Sequence, residues 1–116
     1  MSQLSFSTKI NKILDDIKNV LIDKLDPERI ILFGSRAEGR DHKGSDIDLA
    51  IENYKKSSFR EERKLRELID EISGIYSVDL IFLDKVEADF AKMIRDKGLI
   101  IYEKKNVIST DKSGPN

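Results

Sequence analysis

Residues 46–51 read Asp-Ile-Asp-Leu-Ala-Ile, and this alternation constrains the chain more than any other segment. Successive strand residues point to opposite faces, so Ile47, Leu49 and Ile51 share one face and Asp46, Asp48 and Ala50 the other. The two aspartates then sit side by side, with Cα atoms roughly 6.5–7 Å apart. Paired carboxylates on an otherwise apolar strand repel each other and are costly to bury unpaired. A divalent cation between them removes both penalties. Mg²⁺ suits such a site because it takes hard oxygen ligands and keeps positions open for water and phosphate oxygens.

The surrounding elements follow from periodicity. Ile10, Ile13, Leu14, Ile17 and Leu21 recur at spacings of three and four, which predicts a first helix with Ser7 as N-cap and Asp26-Pro27 as its end. Arg29–Phe33 is a short apolar run and reads as a buried strand. Gly34–Ser45 (GSRAEGRDHKGS) is a glycine- and serine-rich loop, and Lys55–Arg60 a polar connection. Leu65, Leu68, Ile69 and Ile72 predict a second helix stopped by Gly74. Tyr76–Leu83 reads as a third strand. Asp84 and Glu87 suggest a capping-box start to a third helix reaching about Lys97. Leu99–Glu103 is a last strand. The expected fold is α+β: a small mixed β-sheet of three to four strands with helices packed on one face. One domain is expected over residues 1–104, followed by a polar tail, 105–116, without regular structure.

Asp79 is a lone acid in the apolar strand YSVDLIFL. If that strand lies beside 46–51, its carboxylate reaches the same metal cluster. Three carboxylates allow two Mg²⁺ ions, which together can clamp the attacking and leaving oxygens of a phosphoryl displacement. Upstream, Gly34-Ser35 follows a strand, where backbone N–H groups bind anions and glycine lets a phosphate approach closely. Arg36, Arg40 and Lys43 can offset triphosphate charge, although Arg36 serves equally as a surface ion-pair residue. The candidate nucleotide-binding set is Gly34, Ser35, Arg36 and Ser45; the candidate catalytic and metal set is Asp46, Asp48 and Asp79. Solvated carboxylates on an exposed sheet face are the plain alternative.

Other motifs fail. Gly34–Asp41 starts like a P-loop but continues Arg40-Asp41 rather than Lys-Ser/Thr. Asp46–Ala50 lacks the third ligand and the glycine of an EF-hand. His42 is the single histidine, so no His-based site is available, and with no cysteine there is no disulfide or thiolate chemistry. The absence of cysteine suits a reducing cytoplasm. A formal net charge of −1, with 21 Lys+Arg against 22 Asp+Glu, argues against dedicated nucleic-acid binding. The basic residues between Lys55 and Arg66 are interleaved with Glu61 and Glu62, as on a solvated helix face. The run Ile30–Phe33 is far shorter than the ~20 residues of a membrane span, and MSQLSFSTKI has no basic region leading into an apolar core.

Gly34-Ser35, ten residues, then Asp46-Ile47-Asp48, with Asp79 on a later strand, resembles the signature of the DNA polymerase beta nucleotidyltransferase superfamily. In particular the chain resembles the minimal, MntA-like members, over about residues 8–104. The resemblance implies that Asp46 and Asp48 are paired Mg²⁺ ligands. It implies that Asp79 is the third catalytic carboxylate and that Gly34 and Ser35 hold phosphate. The implied reaction is attack of an acceptor hydroxyl on the α-phosphate of ATP. In minimal members the resemblance implies an antitoxin that transfers AMP to a tyrosine of a helical HEPN-type toxin. The alternatives are an antitoxin that acts by binding alone, and a nucleotidyltransferase for a small molecule such as an aminoglycoside, for which a homodimer would build the acceptor site.

Overall fold

A computed structural model describes residues 8–34 and 47–104. The element order is α1 (Thr8–Leu25), β1 (Arg29–Phe33), β2 (Ile47–Glu52), α2 (Phe59–Ser73), β3 (Val78–Phe82), a 3₁₀ turn (Leu83–Lys85), α3 (Ala88–Lys97) and β4 (Leu99–Glu103). The strands form one mixed sheet in the order β3-β2-β1-β4. β1 runs antiparallel to both β2 and β4, while β2 and β3 are parallel and are joined through α2. A parallel pair needs such a helical crossover, whereas an antiparallel pair can be joined by a loop.

The main core lies between the sheet and the two long helices. Ile10, Ile13, Leu14, Ile17, Leu21 and Leu25 of α1, with Leu65 and Ile69 of α2, pack on Ile30, Leu32, Ile47, Leu49, Ile51, Leu80 and Phe82. These strand residues are alternate positions, as the pleat requires. Each fully buried aliphatic side chain contributes about 1.5–3 kcal/mol. A smaller cluster of Ile31, Ala50, Leu83, Ala91 and Ile94 uses the intervening positions and brings α3 against the sheet. It explains why β2 is more buried than its alternation suggests: Ala50 and Glu52, on the Asp48 side, are buried as well.

Glu52 is held by charge. Arg95 Nε of α3 donates to Glu52 Oε2 at 2.8 Å, and Arg29 Nε of β1 lies 2.8 Å from Oε1 as an ion pair without hydrogen-bond alignment. One acid thus ties α3 to the centre of the sheet.

α1 ends at Leu25 as the proline predicts, with Asp26 at φ 45° and its N–H bonded to Ile22. α2 stops at Gly74, whose N–H reaches the Asp70 carbonyl. The capping box expected at Asp84 and Glu87 is not formed: α3 starts at Ala88, and Glu87 makes no side-chain cap bond. Asp84 is drawn away instead. Its carboxylate accepts from Tyr54 Oη at 3.0 Å and Lys56 Nζ at 2.7 Å. A true capping box opens α2, where Ser58 Oγ accepts from Glu61 N–H at 3.1 Å and Glu61 Oε1 from Ser58 N–H at 3.0 Å. Ser7, expected to cap α1, and the polar tail 105–116 lie outside the described residues. Among the described residues no helix is long and apolar enough to cross a membrane.

Candidate active site

β1 delivers its last residue, Phe33, opposite Asp48 of β2. On the other side of β2, Asp48 is the Cα partner of Asp79 in β3. Register partners on neighbouring strands point to the same face, about 4.8 Å apart in the pairing direction. Phe33, Asp48 and Asp79 therefore form a row across three strands. It lies on the α3 side of the sheet, at the end where β1 finishes and β2 and β3 begin. Asp48 is half-buried and Asp79 is exposed.

Gly34 follows Phe33 with φ 83°, a conformation that L side chains rarely adopt. A Cβ built on it would lie 2.5 Å from Asp48 Oδ2. The glycine therefore does two things: it turns the chain out of β1, and it leaves room for the Asp48 carboxylate against the backbone. Replacing it would fill the space the acid occupies.

Two carboxylates on adjacent strands repel each other, and a bound divalent cation converts that repulsion into ligation. The donor set, hard oxygens beside a glycine turn, fits Mg²⁺. Among the described residues no group of three or more His, Asp or Glu side chains could hold a metal. The site's described acids are the pair Asp48 and Asp79. Asp46 lies outside the described residues, as do Ser35, Arg36, Ser45 and the loop residues Arg40, His42 and Lys43.

Two residues gain roles beyond those their sequence pattern suggests. Glu52 continues the Asp48–Ala50 face, and the period of two is the signal that marks it as an inward acid needing a cation. Phe33 ends an apolar run, yet it stands in the carboxylate row and meets Phe90 of α3 edge-to-face, with ring centroids 6.3 Å apart.

The family model described as polymerase beta, nucleotidyltransferase matches residues 15–107. A Methanocaldococcus jannaschii chain, provisionally named a protein adenylyltransferase, is 36% identical over 97 residues, covering 80% of this chain and 94% of that one. Haemophilus influenzae MntA, also provisionally named a protein adenylyltransferase, is 30% identical over 92 residues, covering 79% and 81%. Among solved structures, a toxin–antitoxin complex with AMP-PNP superposes with TM-score 0.59 at 27% identity, covering 84% of this chain and 73% of that one. A minimal nucleotidyltransferase at 13% identity shares the fold, with TM-score 0.66 over 84% and 98% of the two chains. The chain belongs to the polymerase beta nucleotidyltransferase family, in its MntA-like branch.

Proposed function

We propose that the chain is a Mg²⁺-dependent protein adenylyltransferase that moves AMP from ATP to a tyrosine hydroxyl of a HEPN-type toxin and so acts as its antitoxin. The observation that carries this reading is the in-register pair Asp48 and Asp79 beside the glycine turn at Gly34. The MntA-like relatives, named as protein adenylyltransferases, support the same reaction. So does a related Shewanella oneidensis complex, whose HEPN toxin is described as tri-AMPylated and bound to its MNT antitoxin.

The reaction balances simply. The acceptor oxygen forms a bond to the α-phosphorus, the bond from that phosphorus to the bridging oxygen of the β-phosphate breaks, and pyrophosphate leaves. The acceptor proton passes to Asp79 or to solvent. Asp46, Asp48 and Asp79 would hold Mg²⁺, two ions being expected, which neutralises the triphosphate charge. Gly34 and Ser35 seat the phosphates, with Arg36 and Ser45 alongside. Asp79, at the exposed end of the row, orients the incoming hydroxyl.

The test is transfer of α-labelled phosphate from ATP to the cognate HEPN-type protein in the presence of Mg²⁺. Label on a tyrosine of the partner is expected. If the wild-type chain neutralises the partner without labelling it, the catalytic reading fails and a binding antitoxin remains.

A further inference from the structure

The fold sorts the mixed charges that follow β2. In the sequence Lys55, Lys56 and Lys64 are interleaved with Glu61 and Glu62. In the structure the two acids are drawn off: Glu61 Oε1 accepts from Ser58 N–H at 3.0 Å, closing the cap of α2, and Glu62 turns to Lys85 at 3.9 Å. The lysines gather instead around a cavity of about 310 Å³.

Three segments build this cavity. α1 stops at Leu25, and Lys55 N–H donates to the Leu25 carbonyl at 2.6 Å, which draws the chain after β2 against the helix end. Residues 61, 64, 65 and 68 recur at spacings of three and four, so one face of α2 forms the remaining wall. Buried Leu25 and Leu65, with half-buried Leu68, make the apolar floor, and exposed Lys24, Lys55, Lys56 and Lys64 surround it. Lys56 is engaged by Asp84 at 2.7 Å. Lys24 has a loose, exposed contact with Asp23 at 3.8 Å, of the kind that contributes little. Lys55 and Lys64 form no ion pair among the described residues. The described lining holds one acid, Glu61. Its carboxyl is held below the ordinary range first by the Ser58 N–H, and further by the charges of Lys55 and Lys24.

This cavity is separate from the carboxylate row. It lies at the Arg29–Glu52 end of the sheet, on the α1 and α2 side, roughly 13 Å of strand from the Phe33–Asp48 end. Cationic side chains around a leucine floor match a ligand with an anionic head and an apolar body. A phosphate monoester brings nearly two negative charges and three acceptor oxygens, enough to meet several ammonium groups at once. Its size class also follows, because small-molecule sites occupy about 300–1,000 Å³. A protein partner needs a far wider surface, about 800 Å² on each side.

We infer that this cavity is a second, metal-independent anion site for a small organic phosphate of nucleoside monophosphate size. Lys24, Lys55 and Lys64 hold the phosphate, and Leu25, Leu65 and Leu68 pack against the body of the ligand. The site stands apart from the proposed adenylyl transfer and holds whether or not that reaction occurs.

The experiment is an NMR titration of the full chain with AMP, in 0.15 M salt of about 8 Å Debye length and with EDTA present. Saturable shifts are expected at Lys55 and at the methyl groups of Leu25, Leu65 and Leu68, while Gly34 and Asp48 stay unmoved. The double variant Lys55→Gln/Lys64→Gln changes two exposed residues, so its melting temperature should match wild type. It should lose at least about tenfold in AMP affinity, as expected for two charge-assisted contacts. Pyrophosphate, which has no apolar body, should bind more weakly than AMP. Absence of saturable shifts at the three leucines in wild type overturns the inference. So does unchanged AMP affinity in the double variant, or pyrophosphate binding as tightly as AMP, which would leave only a general attraction of anions to lysine. A uridine hexamer that binds these lysines more tightly than AMP would make the face an RNA surface and overturns it too.

Discussion

Gly34 gives up its side-chain space to Asp48: a β-carbon at residue 34 would sit 2.5 Å from Asp48 Oδ2, and the backbone there has φ 83°. Both constraints fall on one residue beside the candidate catalytic acids. Gly34→Ala should therefore cost roughly 1–3 kcal/mol in backbone strain and also push the carboxylate out of place. Gly74 offers the contrast, with φ 64° and open space for 4 Å around the point where a β-carbon would stand. Gly74→Ala should incur a similar backbone strain of roughly 1–3 kcal/mol but keep full transferase activity. Thermal melts and label transfer on the two variants separate strain from site geometry.

Glu52 should be the most sensitive charged residue for stability. It is buried between Arg29 and Arg95, and Glu52→Ala would leave two guanidinium groups facing each other without their acid. Breaking a buried pair costs about 3–5 kcal/mol, and the partial exposure of both arginines favours the lower end. The melting temperature should fall by more than about 10 °C for a domain of this size. Glu52→Gln, which keeps the packing and one acceptor oxygen, should fall between. A change of less than about 2 °C in Glu52→Ala would contradict the assignment.

The Tyr54–Asp84–Lys56 contact should give stability a pH dependence at both ends. Hydrogen bonding from Lys56 and Tyr54 holds the Asp84 carboxyl below its ordinary range, despite some desolvation. A depressed acid contributes stability that is complete above its unfolded pKa and disappears as pH falls through the folded value. Burial, then the bond to Asp84, pushes the Tyr54 phenol up to about 12. That raised value stabilises the fold below the ordinary phenol range and ceases to do so as pH rises through the folded value. Tyr54→Phe should therefore melt below wild type at pH 7, and the gap should narrow as pH falls below the ordinary carboxyl range and through the lowered Asp84 value. A gap that stays constant from neutral pH down to the acid unfolding limb would count against this pair.

Much of this architecture is readable from the pattern of residues, and the departures share a cause. The α1 stripe Ile10–Leu21 and the buried run Ile30–Phe33 are local signals, and both elements form where the periodicity puts them. The Asp84/Glu87 pattern misleads because the Asp84 carboxylate is claimed by Tyr54 and Lys56, 30 and 28 residues away. The capping box at Ser58 and Glu61 is present in the sequence as Ser-x-x-Glu, but it sits inside a polar stretch with the look of a plain connection. Glu52 finds its partner Arg95 43 residues further on, a contact no local window contains. For the site, the sequence places an acid on each of two strands. Only the parallel pairing of β2 and β3 makes Asp48 and Asp79 neighbours, and that pairing is a property of the folded chain.

The most direct test of the carboxylate row is Mg²⁺-dependent AMP-PNP binding, followed by calorimetry in wild type, Asp48→Asn and Asp79→Asn. Asparagine matches aspartate closely in size, so both variants should remain folded, which a thermal melt checks. Wild type should bind the nucleotide with Mg²⁺ and lose at least about tenfold in affinity when the metal is chelated. The two variants should bind weakly under both conditions and transfer no label from ATP. Magnesium-dependent binding and transfer at wild-type levels in either folded variant would contradict the account.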